Sequence, residues 1–156
     1  MSKICMGIIG CGGMARSHQN AYSELTDLME ITATCDIIYD RAKAAAEQVG
    51  AAQVVTDYRE MVDNVDAVLI SLPHDLHFEC GMFFLENGKQ VLMEKPMCNT
   101  EEECIKLIET SEKVNKVLMT AYTVRFWPIV RKMKELVDNK TYGEAFQMSI
   151  WTEQLT

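Results

Sequence analysis

No two of the six cysteines form a CxxC pair, and no stretch approaches the ~18 consecutive apolar residues of a membrane span. The first absence removes the commonest zinc and redox motifs. Cys5, Cys11, Cys35, Cys80, Cys98 and Cys104 read instead as free thiols of a reducing compartment. The second removes a helical membrane anchor. Positive charge is scarce too: 15 Lys and Arg stand against 23 Asp and Glu, a formal net charge of −8. That field repels nucleic acid and anionic membranes, so an anionic ligand must be held by a local site. Internal repeats, low-complexity tracts and flexible linkers are also missing. The remainder is ordinary: 156 residues, 48% hydrophobic and 24% charged, enough for one self-sufficient core. The apolar run Ile4–Ile9 is too short for a secretory signal, and a cytoplasmic location is expected.

Short β-branched runs alternate with longer helical patterns. Strands are predicted over 3–9, 30–35, 53–55, 67–72, 90–93 and 117–122, helices over 14–25, 40–49, 58–63, 76–86 and 100–114. The central strands are apolar at consecutive positions, as in parallel strands buried on both faces. Thr100 and Glu103 have the spacing of a capping box, and Gly50 and Gly88 stand where helices end. The alternation predicts an α/β fold with a doubly wound parallel sheet. Beyond it, Pro128 opens a helix to about 139, Gly143 marks a turn, and residues 145–151 alternate. Phe146, Met148 and Ile150 share one face of that last run, the pattern of a strand buried on one side. Two parts are expected: 1–122, and 123–156 as a helix and first strand of a second, mostly missing α/β domain. With no sheet to join, the strand should be disordered, pair with another copy or fold back.

The spacing Gly10-x-Gly12-x-x-Ala15 follows the first strand and opens the first helix. Gly10 permits a tight turn, Gly12 lets a pyrophosphate approach the backbone, and Ala15 lets helix and sheet pack closely. Unpaired N–H groups at the helix start bind phosphate oxygens with no basic side chain, which reconciles an anionic ligand with an acidic chain. A bare motif of this kind is also compatible with a simple turn. Asp36, at the end of the second strand and 21 residues after Ala15, adds context. A carboxylate there can accept both ribose hydroxyls of adenosine and repels a 2′-phosphate, which favours NAD over NADP. Arg41 stands close enough to blur that preference, or is a surface helix residue.

Three more stretches, DAVLISLPHDLH (66–77), GKQVLMEKP (88–96) and AYTVRFWP (121–128), join the glycine run in order along the whole chain. Together they closely resemble the glucose–fructose oxidoreductase/inositol dehydrogenase/MocA family. The resemblance implies a Rossmann domain followed by an α/β domain on a large open sheet, and hydride transfer between a sugar, inositol or related polyol and a nicotinamide coenzyme. It places Gly10, Gly12, Gly13, Met14 and Ala15 along the pyrophosphate, Asp36 on the adenosine ribose, and Ile37 beside the adenine. Ser71, Leu72, Pro73 and His77 would border the coenzyme towards the nicotinamide, with Glu94 and Lys95 at the nicotinamide ribose and reacting carbon. An ammonium at Lys95 suits alcohol oxidation, because it stabilises developing alkoxide charge. Pro96 stiffens the turn that presents it, and the resemblance allows a cis bond before it.

His74 and His77, three apart, lack a third ligand with suitable spacing, so no metal is expected. His18 reads most simply as a surface residue. The family's general base and most of its substrate contacts lie well past residue 156, so the chain is expected to be a fragment of a longer protein. A homo-oligomer is also expected. Two functional classes follow: the nucleotide-binding part of an NAD-dependent dehydrogenase, or a non-catalytic module that binds or senses NAD. Binding without turnover is expected of these 156 residues.

Overall fold

The computed structural model describes residues 2–22, 24–149 and 151. Six strands, β1 (Ile4–Ile9), β2 (Met29–Cys35), β3 (Gln53–Val55), β4 (Ala67–Ile70), β5 (Gln90–Met93) and β6 (Leu118–Thr120), form one sheet in the order β3-β2-β1-β4-β5-β6. Every pairing is parallel. Parallel neighbours need crossovers, and four helices supply them: α1 (Gly13–Tyr22), α2 (Tyr39–Val49), α3 (His77–Glu86) and α4 (Glu101–Lys113). This is the doubly wound arrangement that the alternating pattern predicts.

Successive strand residues point to opposite faces, so the consecutive Ile8 and Ile9 feed two separate cores. Ile8 joins Ala15 of α1 and Ala42 and Ala45 of α2 on one face. On the other, Ile9 joins Phe84 and Leu85 of α3 and Leu107 of α4. Val68, Leu69 and Ile70 of β4 are likewise fully buried, which explains their unbroken apolar run.

Local chemistry sets the helix ends. Thr100 caps α4 by accepting the Glu103 amide at 3.2 Å, and the Glu103 carboxylate accepts the Thr100 amide at 3.3 Å. Gly50 closes α2 at φ 77°. One helix differs from expectation: 58–63 is not α-helical but part of a 3-10 helix, Tyr58–Asn64. Its longer rise per residue lets seven residues span the β3-to-β4 crossover, and Asp57 caps it through the Arg59 amide.

The chain divides into two compact units, Met1–Ala121 and Tyr122–Thr156. The second holds a short 3-10 turn, Thr123–Phe126, and α5 (Pro128–Asp138) with Pro128 in its first turn. Ion pairs Lys132–Glu135 and Lys134–Asp138 run along α5. The strand expected over 145–151 is not formed: residues 144–149 and 151 carry no regular structure, and Phe146 is 96% exposed. Ile150 lies outside the described residues. A strand is held by its ladder, and among the described residues no neighbour supplies one to this segment.

Candidate functional site

The crossovers that follow β1 and β4 leave the sheet on opposite faces, which opens a crevice beyond the carboxyl ends of these strands. A cleft of about 400 Å³ occupies it. From β1 and α1 it is lined by Gly10, Gly12, Gly13 and Met14, from β2 and α2 by Asp36, Ile37 and Arg41. The β4 end contributes Ser71, Leu72, Pro73, His74 and Leu76, and the β5 end Glu94 and Lys95. Eleven of the thirteen residues expected at a coenzyme site thus share one wall.

The three glycines differ in their reasons. Gly10 has φ 84°, and a Cβ there would stand 2.3 Å from the Ser71 carbonyl oxygen, so the β1 turn and β4 end can touch only through glycine. A Cβ at Gly12 or Gly13 would meet nothing within 4 Å. No protein atom asks for glycine at those two places, and the space in front of them is open to the cleft. The first-turn amides of α1 have no acceptor within the helix and carry its positive end.

Asp36 is 8% exposed, and its carboxylate braces the wall. One oxygen accepts the Cys11 amide at 2.9 Å, the other the Ile38 amide at 2.9 Å. Each oxygen keeps a second lone pair for a ligand hydroxyl. Ile37 beside it is 88% exposed, an apolar surface at the mouth of the cleft. The Cys11 thiol is pushed up to about 11 by burial and then by the Asp36 charge, so it stays protonated and unreactive at neutral pH.

At the other end, Glu94 is buried and Lys95 exposed. Glu94 Oε2 accepts the Lys95 amide at 3.1 Å, and the Lys95–Pro96 bond is cis. Among the described residues, no carboxylate pairs with the Lys95 ammonium.

Three expectations need correction. His77 does not reach the cleft: it is fully enclosed, with Nδ1 2.9 Å from the Pro96 carbonyl oxygen and Nε2 3.0 Å from that of Leu72. It ties together the two loops that form the wall. Ala15 is also fully buried, its methyl group in the core under α1, so it packs the helix and does not line the cleft. His18 is no surface residue, because its Nε2 lies 2.5 Å from Glu94 Oε1. Its signal was the inward stripe Ala15, His18, Gln19, Tyr22 at helical spacing. No group of three metal-ligating side chains occurs among the described residues. A larger hollow of about 760 Å³ lies at the opposite ends of the strands, bordered by Lys3, Glu30 and Gly50. It contains neither the glycine turn nor Lys95.

Residues 4–122 match the oxidoreductase family with the NAD-binding Rossmann fold, Gfo/Idh/MocA. The chain belongs to that family. A relative aligned over 147 residues is the inositol 2-dehydrogenase/D-chiro-inositol 3-dehydrogenase of Lactiplantibacillus plantarum, 27% identical over 92% of this chain and 42% of that protein. The D-glucoside 3-dehydrogenase of Escherichia coli is 34% identical over 93% of this chain and 42% of its own length. Among solved structures, the WlbA dehydrogenase of Chromobacterium violaceum, in complex with NADH and UDP-GlcNAcA, superposes with a TM-score of 0.85. It is 28% identical, over 90% of this chain and 41% of that one. The chain therefore spans about two-fifths of the length of these relatives. The coenzyme class of the Gfo/Idh/MocA Rossmann fold is NAD, and the cleft suits a dinucleotide: open backbone at Gly12 and Gly13, a helix start, and a buried carboxylate with lone pairs to spare. No described helix is long and apolar enough to cross a membrane.

Proposed function

We propose that this chain forms the coenzyme-binding part of an NAD-dependent dehydrogenase that acts on a hydroxyl of a sugar, inositol or related polyol. One observation carries the reading: Lys95, whose ammonium pairs with no carboxylate among the described residues, lines the same cleft as the glycine turn and the buried acid. The amides of Gly12, Gly13 and Met14 would hold the pyrophosphate, with Gly10 shaping the turn. Asp36 would accept the adenosine ribose hydroxyls and Ile37 would cover the adenine; Arg41, which borders the cleft beside them, would be a cation for a 2′-phosphate. Ser71, Leu72 and Pro73 would border the path to the nicotinamide, and Glu94 would face its ribose.

When bound, NAD supplies the acceptor for the hydride that leaves the alcohol carbon. Lys95 would do this chain's share of the chemistry, donating a hydrogen bond to the substrate oxygen as negative charge grows on it. Names of the relatives support the substrate class: they act on inositols and a D-glucoside. We place the protein in the cytoplasm, in keeping with six free cysteines, and expect no nucleic-acid partner, in keeping with the charge of −8. A homo-oligomer fits the edge strand β6, where Met119 is left exposed.

Calorimetric titration tests the reading. NADH should bind saturably to the 156-residue chain, more tightly than NADPH, whereas well-folded protein that gives no heat with either coenzyme overturns it.

A further inference from the structure

Glu94 and Lys95 are adjacent, oppositely charged and border one cleft, yet they form no ion pair. The carboxylate is engaged elsewhere. His18 Nε2 lies 2.5 Å from Oε1, and the Lys95 amide donates to Oε2 at 3.1 Å, with Glu94 only 6% exposed. The imidazole is itself held, stacked on Tyr22 with ring centroids 6.3 Å apart at 27°. Tyr22 brings no competing charge, because burial and the nearby Glu94 push its hydroxyl up to about 12.

We propose that His18 is a positioning residue: its hydrogen bond keeps the Glu94 carboxylate turned towards α1 and so leaves the Lys95 ammonium free for the substrate oxygen. The significance of that freedom rests on the dehydrogenase reading above. Without the imidazole, a buried carboxylate oxygen loses its donor, which is a costly state. Lys95, next in sequence and on a long flexible stem, is the cation that relieves it. The ammonium is then masked by its own neighbour. The same hydrogen bond couples the helix that begins at the glycine turn to the lysine loop, so the two ends of the cleft are set by one contact.

Competitive acetylation followed by mass spectrometry reads the freedom of Lys95 directly, with exposed Lys43 as the internal reference. In H18L the labelling of Lys95 relative to Lys43 should fall at least threefold. H18Q, which retains a donor at about the Nε2 position, should label like the wild type, and the double variant H18L/E94Q should recover. Equal labelling of Lys95 in folded H18L and the wild type overturns the proposal, as does a double variant no faster than H18L. E94Q alone serves if H18L does not fold: it should leave Lys95 labelling unchanged, and a rise of threefold or more would show that the native carboxylate already masks the lysine. The readout needs neither coenzyme nor substrate, so its failure is separate from a failed NADH titration.

Discussion

The Asp36 carboxylate accepts the Cys11 amide at 2.9 Å and thereby fastens the end of β2 to the glycine turn that follows β1. One acid thus shapes the turn and presents lone pairs to the cleft. Replacing it removes both contributions, since its other oxygen holds the Ile38 amide. D36A should weaken NADH binding at least tenfold by calorimetry, in line with about 1.5–3 kcal/mol for a hydrogen bond to a charged group. The preference for NADH over NADPH should shrink with it. Unchanged affinity and preference would remove Asp36 from the coenzyme site.

Gly10 and Gly12 should respond in opposite ways. G10A meets the Ser71 carbonyl oxygen and a positive φ, so it should destabilise the fold by about 2–4 kcal/mol in denaturant melts. G12A meets no protein atom within 4 Å, so stability should stay within about 0.5 kcal/mol while NADH affinity drops several-fold. A destabilised G12A with intact binding would contradict the open-cradle account.

His77 faces two carbonyl oxygens from full burial. H77L fills much of the volume but removes the ring N–H donated to one of the two carbonyls, Leu72 or Pro96. Its expected cost is about 2–4 kcal/mol in chemical unfolding, because an unmade buried hydrogen bond forfeits the desolvation of its group. A variant as stable as the wild type would show that His77 is filler.

Alkaline pH should loosen the first unit. Burial raises Cys35 and Tyr22 to about 12, with the Cys11 and Glu94 charges respectively the next causes, and raises Cys11 itself to about 11. Each folded value lies above its unfolded one, near 9 for the thiols and 10 for the phenol. The protonated folded form is therefore favoured, its contribution is complete below about pH 9, and it is lost as pH climbs towards 11–12. Denaturant midpoints should be level between pH 7 and 8.5 and fall by pH 10.5; a midpoint that rises over that range reverses the sign of the argument.

Much of the architecture was written along the chain. Consecutive apolar residues in β1 and β4, helical periods between strands, and the Thr100–Glu103 box are local, and local patterns determine element type and the parallel class. The glycine turn, Asp36 at a strand end and Lys95 after β5 meet in one cleft for the same reason: a doubly wound sheet gathers strand ends whatever their separation in sequence. Tertiary structure decided the rest. Burial of His77, the absorption of Ala15 into the core and the hydrogen bond from His18 to Glu94, 76 residues away, depend on which helix packs over which strand. Residues 145–149 alternate like a strand, but alternation prescribes a face and not a partner. A ladder requires a second backbone, and among the described residues none is offered to them.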